Sequence, residues 1–167
     1  MAPAGDDDAV DRIVAQWRRE RPDLDPSAKQ VTGRVVRLSS IFQRRYAEAF
    51  TEIGLNEGDY GLLVALRRAG DPFTLTPTEL ARTRMMTSGG MTAAIDRVDR
   101  LGFVERLPNP DDRRGSLVRL SAKGRTTIDR AMELHTEVEH DLLAALSVAE
   151  RDRLSALLRK VLRSVDD

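Results

Sequence analysis

Two helix-start signals follow one another closely in the middle of this chain, and a charged turn between two strand-like runs comes next. That succession limits the fold more than any bulk property does. The first signal is Thr76-Pro77-Thr78-Glu79. A threonine hydroxyl can cap a helix, proline suits the first helical position, and a glutamate three residues after the cap closes a capping box. The helix it opens is short, reaching about Thr83. Thr87-Ser88-Gly89-Gly90 opens a second helix, which runs to Leu101 and is stopped by Gly102. Residues 103–107 and 117–120 read as strands. Residues 108–115, with two prolines, Asn109 and Gly115, read as a long turn.

The flanks are helical. Val10, Ile13, Val14 and Trp17 recur at helical spacing behind Asp6, Asp7 and Asp8, whose charge suits a helix N-terminus. Pro22 ends that helix by Arg21, because the residue before a proline is driven out of helical geometry. A long helix is expected over 27–50, with Val31, Val35, Leu38, Phe42 and Tyr46 as its stripe and Gly54 as its stop. A third starts near Asn56 with Asp59 as capping partner, carries Leu62, Leu63 and Leu66, and ends at Gly70. Residues 73–75 are a candidate short strand. Ser121 caps a long region with Ile128, Met132, His135, Leu142 and Leu146 on one seam. Ser147-Val148-Ala149-Glu150 boxes a last helix bearing Leu154, Leu157, Leu158, Val161 and Leu162. The fold class is mainly α with a small β-hairpin wing, the winged helix-turn-helix arrangement.

Several function classes fall away. The chain has no cysteine, so disulfides, thiolate metal sites and cysteine nucleophiles are excluded. Its two histidines, His135 and His140, fall on different helix faces, so no metal or cofactor is expected, and His135 reads as a structural histidine, with pH sensing as the alternative role. No nucleophile-base set is visible, and an enzyme is not expected. The acidic N-terminus lacks the apolar core of a signal peptide. No apolar run approaches the roughly 18 residues of a membrane span, and a cytoplasmic setting is expected. Met85, Met86 and Met91 read as core and turn residues. Net charge is zero, with 27 basic and 27 acidic residues, which taken alone argues against a nucleic-acid binder. The distribution argues otherwise: residues 82–125 hold ten basic side chains against five acidic ones.

That window can read DNA. An α-helix fits the major groove of B-DNA. On the helix from Ser88, Met91, Ala94, Ile95 and Val98 fall on one side, and Gly89, Ala93, Asp96, Arg97 and Arg100 on the other, with Thr92 at the edge. The outer N-terminal part is small or polar, which permits close approach, and its free N–H groups suit a phosphate. Arg97 is placed to reach a guanine or a phosphate. Arg113 and Arg114 at the hairpin tip suit a narrow minor groove, with Asp112 orienting Arg114. The competing reading is a winged-helix module that binds protein or small molecules without DNA.

The run 91–98, then Gly102-Phe103-Val104-Glu105-Arg106, the wing Asp111-Asp112-Arg113-Arg114-Gly115 and Val118-Arg119-Leu120-Ser121-Ala122-Lys123-Gly124 resemble the MarR family of bacterial regulators. The resemblance covers roughly residues 27–165. It implies a homodimer whose terminal helices interlock, a pseudo-palindromic double-stranded DNA operator with half-sites about one turn apart, and repression released by a small aromatic or phenolic ligand. The apolar seams at both chain ends agree, since one small lobe cannot bury them. The division implied is an N-terminal extension over 1–26, a dimerisation region over 27–55 and 122–167, and a DNA-binding lobe over 56–121. The DNA-binding set is then Thr76, Thr87, Ser88, Gly89, Gly90, Thr92, Ala93, Arg97, Arg113 and Arg114. The extension with Trp17 is similar to the urate-responsive branch, making Trp17, Tyr60 and Arg106 candidate ligand contacts; Trp17 also reads as a packing staple. That branch has an aspartate where Gly61 stands and an arginine where Ala94 stands. A pocket that reads an anion through arginine loses much without it, so the resemblance does not extend to urate.

Overall fold

The computed structural model describes residues 7–84, 88–110 and 112–165. The chain divides between Arg45 and Tyr46 into two compact units.

In the first unit α1 (Ala9–Glu20) is opened by Asp8, whose carboxylate accepts from the N–H groups of Val10 and Asp11 while Asp11 answers the Asp8 N–H. The triple aspartate therefore does more than complement the helix dipole: one member is a full capping box. Arg34 of α2 (Lys29–Thr51) bridges Asp8 and Asp11 at 2.9 and 2.7 Å. Its guanidinium holds the Asp11 carboxyl below the usual carboxylate range. Val10 and Val14 are buried, and Gly33 lets α2 approach closely: a Cβ there would stand 3.0 Å from a Val10 methyl.

The second unit carries α3 (Glu57–Arg68), β1 (Thr74–Leu75), α4 (Pro77–Arg84), α5 (Ser88–Arg100), β2 (Val104–Asn109), β3 (Asp112–Leu120), α6 (Ala122–Leu142) and α7 (Val148–Arg163). The expected caps are present at Asn56 with Asp59, Thr76 with Glu79, Ser121, and Ser147 with Glu150. The three strands lie in the order β1-β3-β2, all antiparallel, with Thr74 opposite Arg119 and Val104 opposite Leu120. Phe50, Leu62, Leu63, Leu66, Leu80, Met91, Ile95, Val98, Val118 and Ile128 form one buried cluster.

The hairpin departs from expectation. The long turn over 108–115 is instead mostly strand: Pro108 pairs with Ser116, and Asn109 with Asp112 across an irregularity. Pro108 is tolerated because β2 is an edge strand, where a missing N–H costs no ladder bond. Proline, glycine and aspartate signal a turn locally, and cross-strand pairing overrides that preference here. The wing is thus a β-ribbon carried nearly to its tip.

Candidate nucleic-acid interface

Helix α5 is amphipathic in the expected sense. Met91, Ile95 and Val98 are buried and Ala94 is half-buried, while Thr92, Ala93, Asp96, Arg97 and Arg100 lie on the exposed side. The helix begins at Ser88, so its first N–H groups lie at Ser88, Gly89 and Gly90. Thr87, Met85, Met86 and Asp111 lie outside the described residues, as do the side chains of Ser88, Arg113 and Arg114 and with them the orienting contact expected from Asp112. The backbone of Arg113 and Arg114 belongs to β3, at the turn end of the ribbon.

Thr76 opens α4, where its hydroxyl donates to Glu79 at 2.8 Å and accepts from the Glu79 N–H. The Thr76 N–H, which also donates to that carboxylate at 2.7 Å, and the hydroxyl together hold the Glu79 carboxyl below its ordinary range. The hydroxyl proton is therefore committed to a carboxylate, which lessens its fitness to meet a phosphate.

Two arginines are engaged in ways the sequence did not suggest. Arg97 turns its Nε onto the buried Asp59 carboxylate, 3.0 and 3.1 Å from its two oxygens. Arg106, a candidate ligand contact, lies in β2 and bonds Asp96, with Asp99 at 3.5 Å. It ties the wing to α5. Arg119 likewise bonds Glu105 across the ribbon at 2.7 Å. Arg97, Arg106 and Arg119, all from the basic window, are thus matched by carboxylates within the chain. The acidic partners were visible in the sequence, but pairs brought together only by the fold have no local signature.

Tyr60 packs in a column of rings: 4.5 Å from Phe50 and 5.2 Å from His135, which lies 4.1 Å from Tyr46. Tyr46 donates to Glu139 at 3.4 Å, and His135 Nδ1 stands 3.5 Å from the other Glu139 oxygen. Burial and the Glu139 charge push the Tyr46 hydroxyl up to about 12, and burial raises that of Tyr60. Tyr60 therefore serves a packed stack, while Arg106 is engaged on α5. Trp17 belongs to the other unit, half-exposed on α1. Among the described residues no group of side chains has the makings of a metal site.

A helix pair with a β-ribbon wing is a common frame; relatives decide which one this is. The HTH-type transcriptional regulator PecS of Dickeya dadantii is 35% identical over 152 residues, covering 91% of this chain and 92% of that protein. The multiple antibiotic resistance protein MarR of Escherichia coli is 32% identical over 69% of this chain and 78% of its own length. The MarR family pattern itself matches residues 53–115. This chain belongs to the MarR family. As a member it is a DNA-binding transcription regulator with a winged helix-turn-helix fold. The crystal structure of a mutant E. coli MarR complexed with operator DNA superposes with a TM-score of 0.69, at 29% identity over 83% of this chain and 99% of that one. The residues matched by the family pattern run from just beyond α2 through α3, α4, α5 and β2 into β3, the stretch that builds the exposed α5 face and the wing. No helix among the described residues is long and apolar enough to cross a membrane.

Proposed function

We propose that this regulator acts as a homodimeric repressor that lays α5 of each copy in successive major grooves of a pseudo-palindromic operator and runs each wing along the neighbouring minor groove. One observation carries the reading. The exposed side of α5 is small and polar at Thr92 and Ala93, and the β2–β3 ribbon is fastened beside it through Arg106. A helix with short outward side chains can sink far enough to present polar groups to base edges. An arginine-bearing ribbon beside it suits the narrow groove next door. Ser88, Gly89 and Gly90 then supply N–H groups to a phosphate. The superposition on an operator complex supports this arrangement. A small aromatic or phenolic effector that releases the DNA completes the proposal, on the strength of the family.

The test is binding of a duplex from the promoter region of the chain's own gene, measured by fluorescence anisotropy at several salt concentrations. The affinity should fall steeply with salt, since each neutralised phosphate contributes about 0.9 to the log–log slope. Arg114→Ala should weaken binding to every sequence by a similar factor and flatten the slope by about one. Thr92→Val should instead change which sequences are preferred. An Arg114→Ala protein with unchanged affinity defeats the wing assignment. A wild-type protein that binds no genomic duplex at low salt favours the module that binds protein or small molecules.

A further inference from the structure

We infer that Arg97 is a positioning residue: its ion pair with the buried Asp59 sets the pose of α5 against DNA, and Arg97 does not itself read the operator. The inference rests on the DNA-binding reading above and refines one residue of it.

Asp59 is the one charged side chain that is buried among the described residues, 2% exposed, whereas Arg97 is 47% exposed. A carboxylate taken out of water requires a partner of opposite charge and filled lone pairs. Asp59 has both. Its Oδ2 accepts the Asn56 N–H at 3.2 Å, which closes the box at the start of α3, and both oxygens receive Arg97 Nε. Its own N–H donates to the Asn56 side chain at 2.7 Å. Drawing Arg97 away to a base would strand that carboxylate without its cation. The guanidinium stays where the carboxylate is.

The consequence falls on α5. Arg97 lies just beyond Thr92 and Ala93 on the same helix, so whatever fixes Arg97 fixes the rotation of that exposed face. From the other flank Arg106 grips Asp96 and Asp99. One ion pair therefore ties α5 to α3 and the other ties it to the wing. Side chains that must meet base edges need placement to about 0.5 Å, which supporting contacts of this kind supply.

The experiment compares Asp59→Asn, Arg97→Gln and the double variant with the wild type. Each is titrated with the promoter duplex and with single-base variants of it across a salt series, and thermal melting reports the fold. A positioning pair predicts that either single change weakens binding about tenfold, and that the double variant is no weaker than the worse single. The salt slope should stay unchanged, since no phosphate contact is lost, and Arg97→Lys should recover part of the affinity. A DNA-contacting Arg97 predicts the opposite for Asp59→Asn: a freed cation and affinity equal to or above wild type. That result overturns the inference. So does a slope lowered by about one in Arg97→Gln, or a further loss when Arg97→Gln is added to Asp59→Asn. If Asp59→Asn fails to fold, the slope and base preference of Arg97→Gln decide alone. Failure of the wild type to bind any duplex removes the DNA reading itself and this inference with it.

Discussion

Gly124→Ala is expected to lower the melting temperature by roughly 10 °C, through a loss of about 3 kcal/mol. Gly124 lies in the first turn of α6, packed against the chain at Phe103. A Cβ there would stand 1.9 Å from the Phe103 carbonyl oxygen and 2.8 Å from its carbon. Those are backbone atoms, and no rotamer change relieves the overlap. Relief requires α6 to move off the start of β2. That motion would stretch the bond from the Ser121 N–H to the Phe103 carbonyl, 3.0 Å, and the one from the Ser121 hydroxyl to the Gly102 carbonyl, 2.7 Å. It would also loosen Ile128, fully buried in the core. Gly115→Ala is the control. Its Cβ would meet the ends of the Asp112 and Asn109 side chains, at 2.9 and 3.3 Å, and these can swing aside. A loss under about 1 kcal/mol is expected there. Circular dichroism melting of both variants checks the pair, and a Gly124→Ala protein that melts with the wild type would mean that α6 is free to slide.

Neither effect was legible in the sequence, where Gly124 is one more glycine near a helix start. What the sequence did carry was chemistry acting over three or four residues. Asn56 with Asp59, Thr76 with Glu79 and Ser147 with Glu150 announce their helices because cap and partner are near neighbours along the chain. The buried side of α5 was legible for the same reason: Met91, Ile95 and Val98 recur at the helical period. The hairpin was legible as a hairpin, but its turn was drawn too long, because pairing between Pro108 and Ser116 is a property of two strands together. The site shows the same boundary. Arg97 and Arg106 stood out as cations in a basic window, and only three dimensions reveal that Asp59, Asp96 and Asp99 already hold them. The basic window counted these arginines as available to a polyanion; the folded chain uses them to tie α5 to α3 and to the wing.

The apolar face of α7 leads to the second large effect. None of its residues is buried, yet Leu154, Leu157, Leu158, Val161 and Leu162 repeat at the spacing of a single face. Leu157 is 55% exposed and Leu162 57%. At about 25 cal/mol per Å² of apolar surface, a helix that leaves such a row in water forgoes several kcal/mol that a second copy would recover. The proposed homodimer supplies that copy. Introducing Leu157→Glu together with Leu162→Glu places charges on positions that cost one isolated chain little, because they already face water, while a dimer would have to bury them unpaired. The doubly substituted protein is expected to run as a folded monomer in sedimentation and to keep its helical circular dichroism. Its affinity for the promoter duplex should drop by about a hundredfold or more, because each reading helix then binds without the effective concentration that its tethered twin provides. A variant that stays dimeric would show that α7 lies outside the dimer contact. A variant that is monomeric yet binds as tightly as the wild type would show that one copy suffices, and the pseudo-palindromic operator would go with it.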